Sequence, residues 1–353
     1  MAELAANETL SELLNDGLVF DATTNNDLTN HLPMALVAKS RLGAGLAELS
    51  RFAAKYQRRL VAVSEPSERL TNASWQRVIG EPAAYPDLVD YFSREVEAQG
   101  VDETLRSHLG HLVEGVSGAA FHGVIRLAYA FDVKAPKRVS TGLAYLAASA
   151  MTLGPLGSGP TTSDDPEVLL SELAKDQRWQ SVSSARKIDA QMKHAASNPA
   201  FSHVASSLAI DEHTSRRLAA AALKIYASTD DFTALHGVTG LEALSRIRPY
   251  VDDVERFDRS SFQALAAAYL SIGAPAVWSS DQLDDMVATT QLDPATVSTR
   301  AAMSDDAHVA KIVFTSTRLR EESGDPLYAA VAERAVRNDE TVAEASSDET
   351  VEC

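Results

Sequence analysis

Nine histidines punctuate the 353-residue sequence, and three of them share an apolar setting that invites chemistry. His31 follows a polar run of Asp, Asn and Thr and opens onto Leu32-Pro33-Met34-Ala35-Leu36-Val37. Pro33 suits the first turn of a helix, which puts His31 at the entrance, facing inward. His122 lies in Ala119-Ala120-Phe121-His122-Gly123-Val124-Ile125, and His236 repeats the form in Ala234-Leu235-His236-Gly237-Val238. An imidazole with such neighbours is expected to be buried, and each ring nitrogen then needs a partner. A metal ion is one such partner and a backbone carbonyl is another. On local grounds His122 and His236 read equally as ligands or as hydrogen-bonded core residues, whereas His31 reads first as a capping or core histidine bonded to backbone. Gly123 leaves room for another backbone, or a ligand, to come close.

His308 and Lys311 make a fourth segment of a different kind. Ser304 is a good N-cap, and Asp305 and Asp306 suit the first turn of a helix. The i, i+3 spacing puts His308 and Lys311 on one face, as helical bundles present paired ligands to a metal. Lys311 is flanked by Val309, Ala310, Ile312, Val313 and Phe314. A lysine buried there must be paired or lose its proton. The other reading is a lysine whose stem packs while its head reaches solvent. His108, His111, His194, His203 and His213 sit among Arg, Ser, Gln, Asp and Lys and read as partly exposed; His108 and His111 share a face that Ser107 and Glu114 mark as wet.

The elements that must hold these side chains are helices. Alanine and leucine dominate, and apolar residues recur at helical spacing in Leu32 to Phe52, Leu143 to Met151, Leu218 to Ile225, Phe262 to Ile272 and Val309 to Leu319. Breakers fall between such segments at Gly80-Glu81-Pro82, Gly154 to Pro160, Asn198-Pro199, Arg248-Pro249 and Gly273 to Pro275. Only short stretches such as Leu60 to Val63 suit a strand. Gly154 to Ser163 is the clearest linker candidate, either between domains or as an ordered loop. The expected fold is all-α: one large multi-helix domain over residues 1–337, with an irregular bundle around a buried metal site. The last sixteen residues, Asn338 to Cys353, hold six carboxylates and no Lys or Arg, and read as a disordered acidic tail.

Composition narrows the partners. The net charge of −17 repels phosphate backbones, so no nucleic-acid partner is expected. The single cysteine is Cys353, which leaves no thiolate metal site and no disulfide within the chain. No signal-peptide pattern and no apolar run of membrane-spanning length is present, so a cytoplasmic protein without a membrane partner is expected. Gly43-Ala44-Gly45 lacks a third glycine and follows helical sequence, so no bound flavin or dinucleotide is expected there. Oligomeric state is not written in these patterns.

Together the segments Asn30-His31-Leu32-Pro33-Met34-Ala35-Leu36, Phe121-His122-Gly123-Val124-Ile125-Arg126-Leu127-Ala128-Tyr129, Leu235-His236-Gly237-Val238-Thr239-Gly240 and His308-Val309-Ala310-Lys311 resemble the questin oxidase-like family, in the family's order. The resemblance implies an all-helical fold and oxygenase chemistry, by Baeyer–Villiger-type insertion or oxidative ring cleavage of an aromatic or polyketide-like molecule. It implies dioxygen as the other substrate and leaves NADPH open as a cosubstrate. It also implies a non-haem Fe(II) bound by His31, His122, His236, His308 and Lys311, the lysine as its carbamate. Neutral imidazoles suit iron, whereas an ammonium repels it and cannot ligate. Arg126 and Tyr129, one and two turns beyond His122, are then candidates to bind a phenolate or carboxylate on the substrate. Asn30, Asp231 and Thr239 are candidates to orient the ligands. The alternatives from other classes are a metal-dependent hydrolase using a carbamylated lysine and a non-catalytic helical binding protein.

Overall fold

Helical periodicity interrupted by Gly and Pro becomes a nearly all-helical protein in a computed structural model that describes residues 10–176, 179 and 182–348. The chain packs as two compact units. One is drawn from residues up to Val63 and from Ser279 onward, the other from Ser64–Trp278. The expected single domain thus contains two separately packed cores, and the boundaries fall at neither end of the Gly154 to Ser163 segment. That segment is an ordered part of the second unit. The Thr162 N–H donates to the Ser207 carbonyl at 2.8 Å, the Gly159 N–H to Ser206 Oγ at 3.1 Å and Gln263 Nε2 to the Pro155 carbonyl at 3.2 Å. Its glycines serve a pinned loop, because backbone groups that are hydrogen-bonded this way fix a path that composition alone would leave free.

In the first unit helical residues 10–16 and a 3-10 turn (Gly17–Val19) lead into strand β1 (Phe20–Thr24), followed by helices α1 (Leu32–Arg41) and α2 (Leu46–Tyr56) and strand β2 (Leu60–Ala62). The strand expected near Leu60 is present. It pairs antiparallel with β1, with Phe20 opposite Ala62 and Thr24 opposite Leu60. The second unit holds α3 (Tyr85–Gln99), α4 (Val101–Leu109), α5 (His122–Asp132), α6 (Pro136–Ala148), α7 (Pro166–Ala174), α8 (Ile188–Ala196), α9 (Thr214–Thr229), α10 (Phe232–Ile247) and α11 (Val254–Ser271). The chain then completes the first unit with α12 (Ser280–Ala288), α13 (Pro294–Met303), α14 (Ala307–Ser323) and α15 (Leu327–Asp348). Residues 338–348, whose acidic composition points to a disordered tail, continue α15, and Glu340 pairs there with Arg300 at 2.7 Å. Residues 349–353 of that expected tail lie outside the described residues.

A few close packings in each unit fix the helices that carry the histidines. In the first, α14 packs on α1, and Lys39 of α1 is wholly buried, bonded to Glu48 at 3.0 Å and to the Ser304 carbonyl at 2.6 Å. This lysine ties α1 to α2 and to the residues that precede α14. In the second, α5 packs on α6 and on α10. A Cβ on Gly123 would stand 2.8 Å from Leu146 Cα, and one on Gly142 would stand 2.8 Å from Leu127 Cα. The two glycines let α5 and α6 meet backbone to backbone, so the neighbour that Gly123 admits is a helix. Among the described residues no helix is long and apolar enough to cross a membrane.

Candidate metal centre

In the first unit three candidate side chains come from α1 and α14. His31 occupies the N-cap position of α1, but its ring makes no capping bond. Asn30 does that work, accepting the Leu32 N–H at 3.0 Å while its amide donates to the Asp21 carbonyl at 2.9 Å. The His31 ring is turned edge-on to that of His308, with centroids 4.6 Å apart and planes at 85°. Asp306 caps α14 through Oδ1, which accepts the His308 N–H at 2.8 Å and also pairs with His308 Nδ1 at 2.8 Å. Burial, and secondarily the Lys311 charge, push His308 below the usual imidazole range, against the pull of Asp306. The ring is therefore neutral near pH 7, the form that ligates metals.

Lys311 stands one turn on from His308, with no exposed surface and with no hydrogen-bond partner for Nζ among the described residues. Lys39 is equally buried but is bonded to a carboxylate and a carbonyl. A buried ammonium needs such partners to offset its lost hydration. Burial accordingly lowers the Lys311 amine to about 7, with only Asp306 opposing the shift. A substantial unprotonated fraction at neutral pH follows.

In the second unit the pair is His122 and His236, with ring centroids 4.8 Å apart. Three consecutive left-handed residues, Ala119, Ala120 and Phe121, with φ of 47°, 53° and 67°, lead into His122 at the start of α5. Such a run is rare for residues with side chains. It brings the Ala119 carbonyl to 2.6 Å from His122 Nδ1. Gly240 of α10 makes room for the Phe121 ring, since a Cβ there would meet Phe121 Cγ at 2.6 Å. His236 is buried within α10, and its Nδ1 lies 2.7 Å from the Phe232 carbonyl.

These contacts decide the tautomers. A carbonyl or carboxylate oxygen only accepts, so Nδ1 of His122, His236 and His308 carries a proton, and in the neutral form of each ring the lone pair lies on Nε2. Metal-binding histidines are oriented in this way, with one nitrogen donating to a carbonyl or carboxylate and the other facing the ion. The residues present therefore fit a metal: imidazoles held through Nδ1 in each unit, whose neutral form ligates through Nε2, and in the first unit a deprotonatable amine as well.

Several expectations need correction. Asp231 caps α10 by accepting the Thr233 and Ala234 N–H groups, and the Thr239 hydroxyl donates to the Leu235 carbonyl at 3.3 Å. Neither bonds a histidine ring, although the Thr239 hydroxyl also reaches the His236 carbonyl at 3.4 Å; the Phe232 carbonyl holds His236 Nδ1 instead. Asn30 likewise serves the strand–helix junction. His108 is buried, with Nδ1 at 2.8 Å from the Thr104 carbonyl and Nε2 at 2.8 Å from the Tyr91 hydroxyl. Both its nitrogens are thereby engaged by protein, in a box completed by Trp75 and Phe92. His111 is exposed, as expected. Arg126 and Tyr129 are both buried on α5.

Residues 28–315 match the questin oxidase-like family. No curated protein matches the chain.

Proposed function

The chain belongs to the questin oxidase-like family, and from that premise we propose that it is an oxygenase acting on an aromatic or polyketide-like small molecule at one non-haem iron centre. The proposed ligands are His31, His122, His236, His308 and Lys311, the lysine as its carbamate. His122 and His236 lie in the second unit and the other three in the first, and their union in one ligand set is part of the proposal.

The observation that carries it is Lys311, a wholly buried amine without a hydrogen-bond partner, one turn from a histidine whose Nδ1 is already held by Asp306. A neutral amine adds carbon dioxide to give a carbamate and a released proton, and burial supplies the neutral amine. The product exchanges a cation that would repel iron for an anionic oxygen donor. With four neutral imidazoles it lowers the charge of an Fe(II) site from 2+ to 1+, which eases burial. The Thr315 hydroxyl, a further turn along α14, is buried with no hydrogen-bond partner among the described residues and suited to donate to that new anion. With four imidazole nitrogens and one carbamate oxygen as its protein ligands, an iron held there would remain open to a reactant. Bound iron supplies reactivity toward dioxygen, which side chains lack. The Ala119 and Phe232 carbonyls and the Asp306 carboxylate keep three rings in the ligating tautomer throughout.

Metal analysis of the purified chain tests this reading. The expected content is close to one iron per chain, lost on chelation and recovered with Fe(II). Oxygen uptake should follow the iron, and running it with and without NADPH assigns the source of electrons. Two zinc ions per chain would replace the oxygenase with a hydrolase, and a protein that takes up no metal would leave a helical binding protein.

A further inference from the structure

The second unit also buries positive charge that the proposed metal ligands do not use. Arg138 lies in the first turn of α6 and is only 5% exposed, as is Arg126 of α5. Nε and Nη2 of Arg138 have no hydrogen-bond partner, and no carboxylate pairs with Arg138 among the described residues. Other arginines of this unit show what a settled guanidinium looks like here. Arg246 grips Asp132 through two bonds of 2.9 and 3.0 Å, and Arg248 grips Asp258 at 2.8 Å.

Three unfavourable effects coincide at Arg138. Burial strips its hydration, and the Arg126 charge repels it; both hold it below the ordinary guanidinium range, burial more strongly. The N-terminal end of α6 adds its own positive field, which disfavours a cation in the first turn. A guanidinium does not escape by losing its proton near neutral pH. Aromatic rings stand beside the charges. The Arg126 guanidinium carbon lies 5.6 Å from the Tyr145 ring centroid, and the Tyr145 ring meets that of Tyr85 edge-on at 6.2 Å.

We propose that Arg138, with Arg126, Tyr85 and Tyr145, forms a buried recognition site for the carboxylate of a planar aromatic acid. A carboxylate takes two parallel N–H bonds from a guanidinium fork, which fits a side chain whose Nε and Nη2 are both unengaged. It also neutralises the Arg138 charge and faces the positive end of α6. The rings suit the flat apolar part of the same molecule. The inference rests on the proposed function only in taking this acid for part of the substrate; the site itself needs no metal.

Binding of benzoate and salicylate to the full chain, by titration calorimetry, tests the site, with benzamide as the uncharged isostere and inorganic phosphate as a non-aromatic anion. Measurements before and after chelation separate it from the iron. The expected result is that the two carboxylates bind in both states, that benzamide and phosphate bind at least tenfold more weakly, and that Arg138→Met weakens carboxylate binding at least tenfold. Should that variant fail to fold, Arg138→Lys keeps the charge and loses the fork, and a weakening of severalfold is expected. The site is overturned if neither carboxylate binds the wild-type chain, if phosphate binds as well as benzoate, or if the folded Arg138 variant binds benzoate unchanged. Carboxylate binding confined to the metal-loaded protein also overturns it. Loss of the site with normal iron content leaves the proposed centre standing, so the two failures are distinguishable.

Discussion

His236→Ala is expected to cut iron affinity by more than ~100-fold and to abolish oxygen uptake, while the chain keeps its helical circular dichroism. Removing only the hydrogen-bond partner of a metal-bound histidine costs about 10–100-fold in affinity, so removing the donor nitrogen should cost more. The same loss is expected for His308→Ala, although His308 belongs to the other unit. Equal losses are what a single ligand set requires. Metal content that follows one pair of histidines and ignores the other would break the proposal. Asp306→Asn gives an internal gradation. Asparagine keeps the cap on α14 but no longer offers a charged acceptor to His308 Nδ1, so a loss of about 10–100-fold is expected. Iron content after dialysis against a graded chelator reads all three variants.

Lys311→Met is expected to lose the metal as completely while making the metal-free chain more stable near neutral pH. The sign follows from proton binding. In the unfolded chain the amine has its ordinary value near 10.5, whereas in the folded chain it lies near 7. Between those values the unfolded state binds more protons, so stability rises with pH across that window, by up to ~1.4 kcal/mol per pH unit. Below about pH 7 both states are protonated, and the penalty of the buried ammonium is felt in full. Methionine has no such penalty and fills similar space. Urea denaturation of the metal-free proteins at pH 7, 8 and 9 should show rising stability in the wild type and a flatter course in the variant, with the gap largest at pH 7. Matching slopes, or a variant that keeps its iron, would mean that the Lys311 head group reaches water and is no ligand.

What could be read in the sequence depended on how local its cause was. The helix starts at Pro33 and after Asp306, and the strand at Leu60, follow from residues within a turn of each boundary. The partner strand Phe20–Thr24 was not legible, because its pairing with Leu60–Ala62 spans two helices. The first unit joins the two ends of the chain, a non-local fact that neither periodicity nor breakers encode. For the site, apolar flanks separated His122 and His236 from most other histidines, but the same test misjudged His108. Its polar sequence neighbours point outward while Trp75, Tyr91 and Phe92, distant in sequence, close over the ring. The partners of His122 and His236 are backbone carbonyls, which every residue has and no sequence marks. Asp306 carries a local signal, an aspartate two residues before a histidine, but residue types place the N-cap on Ser304, whereas Asp306 itself caps α14 and also bonds the His308 ring. Lys311 was flagged by its apolar flanks; that it lacks the carboxylate given to Lys39 is a matter of packing.

The central claim, one iron held by four histidines and a carbamylated lysine, is tested most directly by a crystal structure of the iron-loaded chain with anomalous data at the iron edge. One anomalous peak is expected, with a nitrogen each of His31, His122, His236 and His308 and an oxygen carried on Lys311 Nζ within about 2–2.3 Å, the ordinary range for such ligands. A peak bound by only one of the two histidine pairs, or density for an unmodified Lys311 amine beside the metal, would contradict it.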